Sequence, residues 1–145
     1  MSPDAIFQYA NSLALVGWVL LLASPFAPRI ANAAAAYGIP LLFAVVYSGL
    51  VLAFWTSAEG GFDSLSNVAA LFQTREMLLA GWLHYLAFDL FVGAWIVRSA
   101  RDAGVPFWMV VPCLAATFLF GPAGFLAFVA IRQVRTRMAA DVSAA

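Results

Sequence analysis

The chain has 145 residues, of which 65% are hydrophobic and only 10% charged, with a formal net charge of +0. A soluble domain is about a quarter charged, so this composition excludes one and indicates an integral membrane protein. All seven basic residues are arginine, which leaves no basic field for nucleic acid. One cysteine and one histidine exclude an internal disulfide and leave a zinc site short of ligands. We therefore expect no metal and no cofactor.

Four apolar segments, each long enough to cross a bilayer, account for most of the chain. They cover residues 6–26, 37–57, 76–97 and 107–131. The sequence predicts one all-α domain over residues 1–145, a polytopic membrane protein with four transmembrane helices in a bundle. No basic residue precedes the first segment, so we expect it to be a retained span rather than a cleaved signal peptide. The alanine-rich tail, residues 138–145, is predicted to be disordered.

The interval between the second and third spans is the most polar in the chain. Asp63 or Ser64 can cap a short helix that runs through Gln73. Its apolar residues recur at spacings of three and four. This predicts an interfacial helix that lies along the membrane surface; the alternative is an ordinary connector.

The arginines orient the four predicted spans. Arg75, Arg132, Arg135 and Arg137 fall on the side that carries both termini, and Arg29, Arg98 and Arg101 fall on the other. The cluster after the last span favours a cytoplasmic location for both termini. The short, alanine-rich, lysine-free sequence is typical of a bacterial protein, and the membrane is then the bacterial inner membrane.

The third predicted span holds the only histidine, His84, and an acid, Asp89, near its centre. Ionisable groups are costly in hydrocarbon, which makes both candidates for a functional site. Tyr85 lies one turn before Asp89 and shares its helix face. His84 and Asp89 differ by about 140° around the helix, so they cannot meet on one face, although both could border one cavity.

These three residues suggest proton-transfer chemistry on an apolar substrate. A buried, neutral Asp89 could protonate an epoxide or an alkene, Tyr85 could tune that acid, and His84 could take a proton back. We expect Trp82, Phe88, Trp95, Thr117 and Trp55 to bind the substrate. We expect Glu59, Arg75, Glu76 and Asn11 to order the mouth of the bundle. The structural alternative is that Asp89 and His84 bond neighbouring helices and that the aromatic residues only pack.

Two stretches of the chain resemble a known family. The first is Trp82-Leu83-His84-Tyr85-Leu86-Ala87-Phe88-Asp89-Leu90-Phe91, and the second is Phe120-Gly121-Pro122-Ala123-Gly124. With the loop at Glu59-Gly60-Gly61-Phe62, they are similar to the abscisic-acid-deficient-type membrane proteins. Plant members of that family are required to form neoxanthin from violaxanthin.

The resemblance implies a four-span membrane protein that acts on a carotenoid. Neoxanthin formation is an isomerisation in which an epoxide opens and a distant proton is lost. The plant proteins carry a plastid transit segment and this chain shows none, so we expect a different carotenoid or another long isoprenoid. Two other functions remain open: a non-catalytic carotenoid-binding, lipid-binding or accessory protein, and a small transporter. The expected partners are membrane lipid, the isoprenoid, and a second copy of the chain in a homo-oligomer.

Overall fold

The computed structural model describes the backbone of residues 2–144 and the side chains of residues 2–138. This part of the chain is all-helical, without strands. Its six helices are α1 (Pro3–Leu22), α2 (Pro28–Phe54), α3 (Leu65–Leu71), α4 (Arg75–Asp102), α5 (Phe107–Phe120) and α6 (Pro122–Ala144). Three of them, α1, α2 and α4, are long and apolar enough to cross a membrane. The predicted all-α class is confirmed, whereas a bundle of four spanning helices is not.

The second helix begins nine residues earlier than predicted. Residues 28–36, which precede the predicted second span, belong to α2, which starts at Pro28. The physical reason is composition, since alanine is the best helix former and proline is well suited to the first position of a helix. One stretch of α2, Ala33–Gly38, has the wider turns of a π-helix.

The short helix between the second and third long helices is present. Ser64 caps α3 by accepting a hydrogen bond from the Asn67 backbone N–H at 3.2 Å. The helix ends at Leu71, two residues before the predicted Gln73. The side-chain amide of Asn67, in α3, donates to both carboxylate oxygens of Asp63 in the preceding loop, at 2.8 and 3.1 Å. This hydrogen bonding, with smaller help from backbone N–H groups, holds the pKa of Asp63 below its usual range.

Contacts along α4 fix the directions of the first three long helices. Helix α1 runs parallel to α4, because Asp4 pairs with Arg75 near the start of both helices and Gly17 meets Leu90 further along. Helix α2 runs antiparallel to α4. Asn32, near the start of α2, contacts Arg98 near the end of α4, and Tyr47, later in α2, contacts His84 nearer the start of α4. We call the end of the helix set that carries Asp4 and Arg75 the Asp4 end, and the opposite end the Arg98 end.

The predicted fourth span, residues 107–131, is not one helix. It breaks at Gly121, whose φ of +49° and ψ of −100° no other residue type adopts readily. The chain reverses there, because Gly124 lies directly against Thr117 and the Cys113 carbonyl of α5. Helix α5 has 14 residues, about 21 Å, which is short of the roughly 30 Å of a bilayer core.

Helix α6 therefore runs back beside α5 instead of continuing across. Phe125 and Phe128 of α6 pack on Trp95 of α4, nearer the Arg98 end than the turn at Gly121. The sequence predicts both termini on one side, whereas in this arrangement α1 starts at the Asp4 end and α6 runs toward the Arg98 end. The backbone is helical through Ala144, where the sequence predicts a disordered tail from residue 138. Ala145 lies outside the described residues.

Candidate functional site

Asp89 lies in a groove bordered by α1, α4 and α5. The groove has a volume of about 410 Å³. Its lining is mostly aromatic and aliphatic, with three polar side chains: Asn11, Ala14, Leu15, Trp18, Trp82, Tyr85, Leu86, Asp89, Phe118 and Leu119. We call this space the Asp89 groove. A small number of polar groups in an apolar recess is the usual composition of a ligand site.

The Asp89 carboxyl group is enclosed on one side and poorly satisfied. Its Oδ2 atom is buried and has no hydrogen-bond partner among the described residues. Its Oδ1 atom faces the turn between α5 and α6, where a Cβ added to Gly121 would lie only 2.9 Å away. Tyr85 lies one helical turn before Asp89 and borders the same groove. An unsatisfied polar atom in an apolar site costs free energy, so the unpartnered Oδ2 lowers the stability of the folded protein.

A hydrogen bond between α1 and α4 supports one wall of the groove. The Trp82 indole N–H donates to Asn11 Oδ1 at 2.9 Å, so Asn11 is bonded to a neighbouring helix. The Trp82 ring stacks on Tyr85 with ring centroids 5.2 Å apart. This chain of contacts holds Tyr85 beside Asp89.

The groove continues as an apolar cleft toward the Arg98 end. A second space of about 240 Å³ shares Leu15, Trp18 and Phe118 with the Asp89 groove. From Asn11 to Leu22 the combined furrow follows twelve residues of α1, a rise of about 17 Å at 1.5 Å per residue. A furrow of this shape suits a linear apolar chain.

His84 does not border the Asp89 groove. Its side chain is exposed, and its ring lies 4.6 Å from the Phe88 ring and 5.9 Å from the Tyr47 ring of α2. Phe88, which the sequence suggests as a substrate contact, is on this same outer face and is 57% exposed. The structure thus brings Tyr85 and Trp82 to Asp89 and places His84 and Phe88 elsewhere.

The other predicted substrate residues are also apart from the groove. Trp95 packs on Phe125 and Phe128 of α6. Thr117 is buried, and its hydroxyl donates to the Cys113 carbonyl at 2.8 Å. Trp55 packs against Phe62 at the Asp4 end, with ring centroids 5.4 Å apart.

The residues predicted to order the mouth of the bundle have different positions and contacts. Arg75 forms an ion pair with Asp4 at the Asp4 end. Glu59 is exposed in the loop before α3, and Glu76 lies in the first turn of α4. Among the described residues, no group of three or more His, Cys, Asp or Glu side chains is placed to hold a metal ion.

Comparison with known families decides what kind of chain this is. The model of the ABA4-like family, described as ABA DEFICIENT 4-like, matches residues 5–128. The chain belongs to the ABA DEFICIENT 4-like family. No curated protein and no solved structure matches it.

The part that matches the ABA DEFICIENT 4-like family contains the whole Asp89 groove and the turn at Gly121. It ends at Phe128, before the three arginines of α6. Sequence reasoning missed six groove residues: Ala14, Leu15, Trp18, Leu86, Phe118 and Leu119. No pattern in the sequence marks them, because a membrane helix is apolar on every face.

Proposed function

We propose that this member of the ABA DEFICIENT 4-like family is a membrane isomerase for a carotenoid or a related long isoprenoid. The reaction is an intramolecular proton relocation that needs no oxidant or reductant. Asp89 is the acid and Tyr85 its hydrogen-bonding neighbour. The substrate lies in the furrow with its reacting carbon or epoxide oxygen at Asp89, and the rest of a longer chain extends into lipid.

The chemical step balances without any other reactant. The O–H bond of the Asp89 carboxylic acid breaks, and the proton is transferred to an alkene carbon or to an epoxide oxygen, whose C–O bond then opens. A carbocation develops, which the ring faces of Trp82 and Tyr85 stabilise. The Asp89 carboxylate then removes a proton from another carbon, and the C–H electron pair forms the new double bond.

The single observation that supports this proposal is a carboxyl group, that of Asp89, which borders an apolar groove and has one oxygen, Oδ2, buried without a hydrogen-bond partner. A neutral carboxylic acid tolerates such a site far better than a carboxylate does, and it carries the proton that the reaction needs. Because His84 lies on the outer face, the Asp89 carboxylate itself removes the second proton from the substrate in this scheme. This replaces the predicted role of His84 as the base.

The test is isoprenoid analysis of carotenoid-producing bacterial cells that express the wild type, Asp89→Asn or His84→Ala at matched membrane levels. We expect a rearranged product from the wild type and from His84→Ala. We expect at least a hundredfold less from Asp89→Asn, the low end for loss of a positioned acid. If Asp89→Asn retains product formation, proton transfer at Asp89 is wrong.

A second candidate function is carotenoid or lipid binding without chemistry. The apolar lining of the furrow favours it, since such a surface binds an isoprenoid whether or not Asp89 reacts. In the same cells, pigment that co-purifies unchanged with both the wild type and Asp89→Asn would support this function instead.

We also propose a direction in the membrane, which we take to be a bacterial inner membrane. The distribution of arginine supports this proposal: Arg75 lies at the Asp4 end, and the other six lie toward the Arg98 end, namely Arg29, Arg98, Arg101, Arg132, Arg135 and Arg137. Basic residues concentrate on the cytoplasmic side, so the Arg98 end faces the cytoplasm. Reporter fusions test this: a C-terminal reporter should be cytoplasmic and an N-terminal one external.

A further inference from the structure

A crevice at the Arg98 end has a composition unlike that of the Asp89 groove. Its volume is about 320 Å³, and it lies where α1 ends, α2 begins and α4 makes its last turns. Its lining combines three arginines and an asparagine with apolar residues: Leu21, Pro28, Arg29, Ala31, Asn32, Ala94, Val97, Arg98 and Arg101. It shares no residue with the Asp89 groove.

The positive charge of this crevice is not neutralised by the described side chains. Across residues 2–138 the one ion pair joins Arg75 to Asp4, at the opposite end of the helices. Asp102, next to Arg101 in sequence, is exposed and forms no ion pair there. Three like charges around one recess repel one another, and an anion in the recess would relieve that repulsion.

Arg98 is already held in place. Its Nη1 donates to Asn32 Oδ1 at 2.7 Å across the α2–α4 contact, and the pair is partly buried. Arg29 and Arg101 are exposed at the rim. A fixed guanidinium with two others beside it matches a phosphate group, whose oxygens accept paired N–H donors from arginine.

We propose that this crevice binds the phosphate group of an anionic amphiphile, whose apolar chain lies along Leu21, Ala94 and Val97. An anionic phospholipid and a prenyl diphosphate share this chemistry. In the proposed orientation the Arg98 end lies at the level of the lipid headgroups on the cytoplasmic side. This position favours the phospholipid. The proposal concerns residues that take no part in the isomerase scheme, so either can fail without the other.

The experiment uses the purified full-length protein in a neutral detergent. Four probes are titrated: dioleoyl phosphatidylglycerol, dioleoyl phosphatidylcholine, farnesyl diphosphate and inorganic pyrophosphate. Binding is measured directly by native mass spectrometry and indirectly as a shift in melting temperature. We expect phosphatidylglycerol to bind and saturate at one site, and phosphatidylcholine to bind at least tenfold more weakly.

The variants are Arg29→Gln with Arg101→Gln, and the charge-retaining pair Arg29→Lys with Arg101→Lys. These rim residues make no hydrogen bond or ion pair to described side chains, so the fold should survive their replacement. Arg135→Gln is the matched control, because Arg135 is exposed on α6 and does not line the crevice. We expect the glutamine pair to weaken phosphatidylglycerol binding by at least tenfold, since a hydrogen bond to a charged group is a strong one.

Each outcome decides between the sources. Loss of phosphatidylglycerol binding in the glutamine pair, with retention in Arg135→Gln and partial retention in the lysine pair, supports the phospholipid. The same pattern for farnesyl diphosphate or pyrophosphate, without phosphatidylglycerol binding, supports a phosphate site for a different anion. Binding that is unchanged in the glutamine pair, or reduced equally in Arg135→Gln, overturns the proposal.

Discussion

Two polar side chains on one helix, His84 and Asp89, have opposite surroundings. Asp89 faces α1 and the turn at Gly121, in a groove with Tyr85 and Trp82. His84, five residues earlier, is exposed beside Phe88 and Tyr47. The difference shows that an ionisable residue within a span becomes a candidate catalyst through the helices packed over it. Depth alone does not decide its role.

The largest expected effect comes from disturbing the turn that covers Asp89. Gly121→Ala should destabilise the protein by about 3 kcal/mol, because alanine is strained at this backbone conformation and its Cβ meets Asp89 Oδ1. Thermal unfolding in detergent measures the loss. Adding Asp89→Ala to Gly121→Ala should recover about 1 kcal/mol, since the contact is then removed.

Gly104→Ala is the matched control for backbone strain. Gly104 has a φ of +63° and nothing within 4 Å of a built Cβ, so only the conformational cost of about 1 kcal/mol applies. If Gly121→Ala and Gly104→Ala lower the free energy of unfolding equally, the turn at Gly121 does not pack against Asp89.

A smaller effect is expected from the hydrogen bond that supports the Asp89 side of α4. Trp82→Phe keeps an aromatic ring but removes the donor to Asn11, and should cost about 1 kcal/mol. It should also lower isomerase activity if the indole holds Tyr85 in place. Trp108→Phe is the control, because Trp108 is 72% exposed. A loss in Trp108→Phe as large as in Trp82→Phe would show that the hydrogen bond contributes nothing.

The smallest effect is expected on the His84 side. His84→Leu should change stability by less than about 0.5 kcal/mol, because the side chain is exposed and makes no hydrogen bond to a described residue. Leucine also suits a lipid-facing position. A loss of 2 kcal/mol or more, measured by the same thermal unfolding, would mean that His84 has a partner on this face and that the comparison with Asp89 fails.

Hydropathy and helical period predicted much of this architecture. They predicted the long helices at residues 6–26 and 76–97 to within five residues at each end, and the second long helix except for its first nine residues. They also predicted the short helix after Ser64 and the shared face of Tyr85 and Asp89. The calculated 140° between His84 and Asp89 also agrees with their separation onto different faces. These features depend on local sequence, which is why a single sequence carries them.

The features that failed depend on contacts between separate helices. Gly121-Pro122 predicts a break but not its angle, and the reversal is fixed by Gly124 fitting against Thr117 and Cys113. The groove partners Trp18 and Phe118 come from two other helices. Neither carries a local signal, because apolar residues cover every side of a membrane helix and periodicity cannot select the packed one.

The π-helical turns in α2 have a consequence for the length of the chain. Pro40 has no N–H to donate, and in a regular α-helix its ring would meet the Ala36 carbonyl. The wider turns at Ala33–Gly38 accommodate this proline inside a 27-residue helix. Each residue turns a helix by about 100°, so deleting one alanine there would rotate Asn32 relative to Tyr47. Substitutions at Ala33 and Ala34, which are exposed or half-buried, should be tolerated, whereas insertions and deletions should not.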